Sequence, residues 1–174
     1  MVDGPMIRDT PYEFIRDGAE SMFFRGMRER WFAGDDGREL PEMNGWRETV
    51  IKQDHWAFTD RRGPGQGFTE IRYYEILVWI MVRHGNYPPE TTECLRAALL
   101  QNYKAKVFCG GRGPEQFCPR SRQWYENVCT GNFEKFDGRD NVRIQRPADV
   151  PGSYQDVVGF HFFSGGMTLR PYAE

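Results

Sequence analysis

The sequence predicts an α+β domain, a mostly antiparallel curved sheet with two main helices packed on one face. Three observations carry this expectation. The elements run helix, strands, helix, strands, and hairpin signals take the place of strand–helix alternation. The longest apolar run, Ile76-Leu77-Val78-Trp79-Ile80-Met81-Val82, has the length and composition of a strand. The chain is only 39% hydrophobic, but it holds 13 Phe, 8 Tyr and 5 Trp, so a core of few, bulky side chains is feasible. Its 174 residues fit one domain.

Residues 11–32 read as the first helix. Thr10 is a suitable N-cap, Pro11 occupies the first helical position, and Phe14, Ile15, Met22, Phe23, Met27 and Trp31 recur at helical spacing. Gly18 and Gly26 weaken the helix, and Gly26 is a candidate early end. Residues 33–45 carry Gly34, Asp35, Asp36, Gly37, Pro41, Asn44 and Gly45, which is turn chemistry and reads as a loop. A strand is expected over 46–58, and the Gly/Pro-rich segment 61–67 breaks the chain after it. Residues 68–84 are dense in Ile, Tyr, Val and Trp but too long for one ordinary strand. Two strands are expected there, 69–74 and 77–84, with a turn near Glu75.

Gly85-Asn86-Tyr87-Pro88-Pro89 should stop the sheet, and Thr91-Thr92-Glu93 opens a helix ending near Tyr103 with Leu95, Ala98, Leu99 and Leu100 on one side. Residues 109–114 form a rigid, turn-rich loop. Strands follow at 124–129, 133–136 and 141–145, with turns at 130–132 and at Asp137-Gly138-Arg139, where the Asp-Gly pair is a hairpin signal. After a loop over 146–154, a last strand covers 155–163 and is halted by Ser164-Gly165-Gly166.

Charge and apolar patterning bound the function. Lys+Arg is 23 against 25 Asp+Glu, without the basic excess of a protein that works through phosphate contacts, which argues against nucleic acid as a main partner. No apolar run approaches the roughly 20 residues of a membrane span. Residues 1–10 carry no signal-peptide stretch, so a cytoplasmic location is expected. Cys94, Cys109, Cys118 and Cys129 contain no C-x-x-C pair, and reduced thiols are the default in that compartment.

Several segments together resemble a known family. They are Glu70-Ile71-Arg72-Tyr73-Tyr74-Glu75, Val78-Trp79-Ile80-Met81, Leu95-Arg96-Ala97-Ala98-Leu99, Gly111-Arg112-Gly113-Pro114, the run 131–138, and Gly159-Phe160-His161 with Gly165-Gly166. Their order and spacing, over about 14–167, are similar to those of an uncharacterised bacterial domain-of-unknown-function family sometimes fused C-terminal to an XRE-type helix-turn-helix. The resemblance implies a fold and no reaction. Glu75-Ile76-Leu77 stands where the family tends to have a Gly-Lys-type turn, and Arg83-His84 where an aromatic pair follows the Trp-x-Met stretch. If that pair lines a pocket, this chain's ligand differs from its relatives'. The residues before the first expected strand hold one helix, so DNA binding is not carried over.

His161 is the best candidate for acid/base or ligand-binding chemistry, because an imidazole titrates near neutrality. Strand alternation puts it on the face opposite Phe160 and Phe162. The competing reading is a structural histidine bonded across the sheet, since no sequence-near carboxylate orients the ring. Arg83 and His84 could reach a ligand, but solvation at the surface is the commoner fate of such residues, and His55 is similar. Three scattered histidines indicate no metal site. The loop around Arg112 could offer backbone N–H groups and a guanidinium to an anion, or serve only as a rigid turn.

Tyr73, Trp79, Trp124, Phe133 and Phe136 fall on different strands and could line a pocket or simply form the core. The expected ligand-binding set is therefore Tyr73, Trp79, Arg112, Trp124, Phe133 and His161. No nucleophile elbow or nucleotide fingerprint is present, so no cofactor is expected. The leading expectation is a small-molecule-binding or sensing domain that allows a homodimer. Its rivals are a small enzyme using His161 and a protein-interaction module.

Overall fold

The computed structural model describes residues 7–32, 39–43, 45–144 and 156–169. A 3-10 turn at Ile7–Asp9 leads into helix α1, Tyr12–Phe32. Five strands follow, β1 Glu39–Met43, β2 Trp46–Gln53, β3 Trp56–Gly63, β4 Gln66–Tyr73 and β5 Ile76–Asn86. A second 3-10 turn and helix α2, Thr92–Ala105, come next. Strands β6 Gln116–Cys118, β7 Gln123–Asn132, β8 Lys135–Ile144 and β9 Asp156–Met167 complete the fold.

Among the described residues these nine strands form one open, curved antiparallel sheet in the order β1-β2-β3-β4-β5-β9-β8-β7-β6. The first five add one after another as hairpins. The chain then crosses through α2, starts again at the far edge with β6, and works inward until β9 pairs with β5. The α+β expectation, and the folding back of residues 68–84 onto the C-terminal strands, are both realised.

Period-two burial divides the sheet into two faces. On the inner face Ile51, Phe58, Ile71, Tyr73, Trp79, Met81, Tyr125, Phe136, Val142 and Phe163 are buried. The α1 stripe of Ile15, Ala19, Met22, Phe23 and Met27 and the α2 stripe of Cys94, Leu95, Ala98 and Leu99 join the same core. No helix among the described residues is long and apolar enough to cross a membrane.

Several local expectations are corrected. Gly26 does not end α1. A Cβ there would fall inside the Phe58 ring, and one at Gly18 inside the Trp56 ring, so these glycines let the helix approach the sheet closely. Residues 39–43, expected as loop, pair with β2 as an edge strand, while 33–38 and 44 lie outside the described residues. The single strand expected over 46–58 is a hairpin turning at Asp54-His55, and the break at 61–67 narrows to a tight turn around Pro64-Gly65. The turn near Glu75 is present, with Tyr74 at φ 47 and Glu75 at φ 64, the paired left-handed geometry of a two-residue hairpin.

Gly85-Asn86 does not stop β5, which runs through both residues. Asp137-Gly138 is not a turn, because β7 and β8 reverse at Phe133-Glu134 and Gly138 lies within β8. Likewise Ser164-Gly165-Gly166 continues β9. A side chain at Gly138 would meet the Val128 carbonyl and the Phe163 ring, and one at Gly165 the Ile80 carbonyl and the Phe136 ring, so these glycines admit both the neighbouring backbone and the core aromatics lying across the strands. The loop expected over 146–154 lies outside the described residues.

Candidate functional site

Cross-strand register assembles a polar cluster on the inner face. His161 of β9 sits opposite Gly85 of β5 on one side and Asp140 of β8 on the other. Asp140 in turn faces Asn127 of β7, and Tyr125 lies two residues along the same face. Arg112 enters from the loop between α2 and β6. That loop is fastened by the Tyr103 hydroxyl donating to the Gly111 carbonyl (2.9 Å) and by the Asn127 amide donating to the carbonyls of Cys109 and Gly113 (3.0 and 2.9 Å). The Arg112 side chain turns inward and is only 3% exposed, so of its two expected roles the rigid turn describes the backbone and the guanidinium points into the fold.

Arg112 Nε–H donates to Asp140 Oδ2 at 2.6 Å, and the Tyr125 hydroxyl donates to the same oxygen at 2.6 Å. Arg112 Nη2 lies 3.2 Å from His161 Nδ1. Because a guanidinium can only donate, Nδ1 accepts and the ring proton sits on Nε2. Asp140 Oδ1, 3.9 Å from His161 Nδ1, is sealed from solvent without a hydrogen-bond partner among the described residues. The Tyr87 hydroxyl is likewise sealed without a well-formed bond, although it lies near Asp140 and Arg112, and its ring packs edge-on against His161 at 4.5 Å.

These surroundings fix the protonation states. Burial, then the cations Arg112, Arg83 and Arg30, push His161 down to about 2, so its imidazole is neutral. Burial and the neighbouring Asp140 raise both Tyr87 and Tyr125. Burial works against the Arg112 charge, but Asp140 together with Tyr125, Tyr87 and Tyr103 outweighs it and holds the guanidinium above its usual value.

A second buried network lies beside the first on β3, β4 and β5. Asp60, fully buried, accepts from Arg83 Nη2 (2.7 Å) and from the Thr69 hydroxyl (2.7 Å), both on Oδ1. Arg83 Nη1 donates to Thr69 Oγ1 at 2.9 Å. Arg30, from the last turn of α1, brings Nε within 3.0 Å of Asp60 Oδ2. Desolvation would raise the Asp60 carboxyl, but Arg30 and Arg83 prevail and hold it at about 2.

Of the six expected ligand-binding residues, Arg112 and His161 meet in the polar cluster, and the other four lie outside it. Trp79 and Phe133 stack within the core at 5.0 Å, with Trp79 Nε1–H donating to the Phe133 carbonyl at 2.9 Å. Tyr73 is buried against Phe14 and Trp56. Trp124 faces the other side of the sheet, where its Nε1–H donates to Glu115 at 2.8 Å. Arg83, expected to be solvated, is buried in the Asp60 pair, whereas His84 stacks on Phe162 on the outer face and His55 on Tyr74 at a hairpin tip.

Sequence reasoning missed Asp140, Tyr87, Tyr125 and Asp60. Asp140 is 21 positions before His161 and becomes its neighbour only through strand register. Its position two residues after a glycine taken for a turn hid the strand it belongs to. Among the described residues, no three His, Cys, Asp or Glu side chains converge as a metal would require. Compared with known proteins, the chain matches no family model, no curated protein and no solved structure.

Proposed function

We propose that the inner face around Arg112, Asp140, His161 and Tyr87 receives the polar group of a small molecule, and that the chain is a binding or sensing domain. One observation carries this reading. Two sealed polar atoms, Asp140 Oδ1 and the Tyr87 hydroxyl, lack a well-formed hydrogen bond among the described residues, although Tyr87 lies within interaction reach of Asp140 and Arg112. An unsatisfied buried polar group costs about 1–3 kcal/mol, a debt that a ligand donor to Asp140 and an acceptor for Tyr87 would remove. A hydroxyl or carboxamide on an apolar body has that pattern.

The protonation states favour binding over acid–base catalysis. His161 stays neutral down to about pH 2, and both tyrosines are pushed upward, so none of these three exchanges a proton near neutrality. The resemblance of the chain's ordered motifs to a domain sometimes fused behind a helix-turn-helix is in keeping with the sensing reading.

Tyr87→Phe tests it. Without ligand, removal of a hydroxyl that makes no well-formed hydrogen bond should leave stability unchanged or raise it by about 1 kcal/mol. Small amides and alcohols that raise the unfolding temperature of the wild type should lose that effect in the variant. Absence of any stabilisation across a broad library of polar-headed molecules would refute the proposal.

A second reading rests on the outer face, where Val82, Val128, Phe160 and Phe162 are exposed, Phe162 by 44%. Such a patch suits pairing with another protein surface. A single monomeric species in light scattering at high concentration would count against it.

A further inference from the structure

The Asp60 network holds more positive charge than it neutralises. Two guanidinium groups, Arg30 and Arg83, share the single carboxylate of Asp60, and the three side chains are 8%, 6% and 0% exposed. Arg83 is well bonded, to Asp60 and Thr69. Arg30 is not. Its Nε lies 3.0 Å from Asp60 Oδ2, yet Nε and that oxygen are both without an aligned hydrogen bond, and no hydrogen bond leaves Arg30 among the described residues. A planar group with five N–H donors, nine-tenths buried and paired only through space, is an incomplete arrangement.

Its surroundings do not complete it. The Arg30 guanidinium lies 4.8 Å over the Trp31 ring, which attracts a cation but offers no oxygen acceptor. Tyr103 and His161 both feel Arg30, Arg83 and Arg112 together, which puts the two networks within electrostatic reach of one another inside the same concave face. Tyr103 spends its own hydroxyl on the Gly111 carbonyl.

We infer that the Arg30–Arg83 pair binds the carboxylate of a small monocarboxylic acid. Two guanidinium ions on one carboxylate leave positive charge in excess, and Arg62 adds to the positive field at Arg30. An anion placed there offsets that excess. A carboxylate also matches the planar fork that Arg30 leaves unused. The inference rests on the ligand site proposed above and refines it. The occupant's carboxylate lies at the Arg30 end of this face.

The test uses the full chain and defined probes. Formate, acetate and inorganic phosphate are titrated against chloride at constant ionic strength, reading the unfolding midpoint and the Nε–Hε arginine signals by NMR. Benzoate and benzamide form a second, charge-contrasted pair. Formate and acetate should stabilise the wild type saturably and shift the Arg30 Nε–Hε signal, and phosphate should act more weakly. Benzoate should bind more tightly than benzamide. Arg30→Met should weaken the carboxylate response at least tenfold, and Arg30→Lys, which keeps the charge without the fork, should fall between.

An Arg30 signal unmoved by saturating formate overturns the inference without recourse to any variant. So does a carboxylate response unchanged in Arg30→Met. If benzamide stabilises through Tyr87 while formate and benzoate add nothing, the anion site alone is wrong and the ligand site stands. If neither neutral nor charged probes bind, both fall.

Discussion

Replacing Asp140 by Asn removes one charge and almost nothing else. Asp140 Oδ2 accepts from both Arg112 Nε and the Tyr125 hydroxyl, while Oδ1 has no hydrogen bond among the described residues. The asparagine oxygen can therefore take the Oδ2 position and keep both bonds, leaving its amide where Oδ1 stood. What is lost is the countercharge of a guanidinium that is only 3% exposed. Breaking a buried pair by removing one partner costs roughly 3–5 kcal/mol, and retention of the hydrogen bonds points to the lower end, about 3 kcal/mol. Asp140→Leu removes both acceptors as well and should cost about 2 kcal/mol more.

The assay is equilibrium urea unfolding followed by tryptophan fluorescence, with thermal melts alongside. At this chain length a loss of about 3 kcal/mol corresponds to roughly 6–12 °C in Tm. A loss below about 1 kcal/mol in Asp140→Asn would refute the reasoning, since it would mean that water or another group already compensates Arg112.

Three further outcomes follow from the same geometry. His161 is depressed from its ordinary value to about 2, so the unfolded chain takes up its proton first as pH falls. Between pH 7.5 and 5.5 the wild type should lose about 1.4 kcal/mol that His161→Gln, which can still accept from Arg112, does not lose. Coincident pH profiles of the two proteins would contradict this. Gly26→Ala should destabilise by about 1–3 kcal/mol although alanine favours a helix, because the added carbon meets the buried Phe58 ring; a gain in Tm would show that the contact relaxes. Glu75→Gly should stabilise by about 1 kcal/mol, since Glu75 sits at φ 64 and its carbonyl, which accepts from Arg72, is kept. An unchanged or lower unfolding midpoint would argue against strain at that turn.

The candidate site was half legible. Its two members flagged in the sequence, Arg112 and His161, stood out through local context, one in a Gly-rich loop and one in an alternating strand. Their partners had no such mark. Asp140 and Asp60 are acidic residues in charged stretches, and Tyr125 and Tyr87 are aromatic residues in an aromatic-rich chain. The aromatic pocket expected from Tyr73, Trp79, Trp124 and Phe133 did not assemble. Strand alternation turns Trp124 to the outer face and Tyr73 and Trp79 into the core, and the β7–β8 turn folds Phe133 in beside Trp79, where their large apolar surfaces are most stabilising.

Composition and periodicity by themselves determined the α+β class, the helix over α1, the reversal at Glu75 and the opposite facing of His161 and its phenylalanine neighbours. These follow from backbone geometry acting over a few residues, which any stretch of sequence carries with it. Only the tertiary structure decided which glycines end elements and which lie under an aromatic ring, because that depends on what a distant strand or helix brings to the position. It likewise decided that Arg83 is buried and His84 exposed, and that Asp140 meets His161. Those outcomes depend on register between strands far apart in the chain, and a one-residue slip would reverse every one of them.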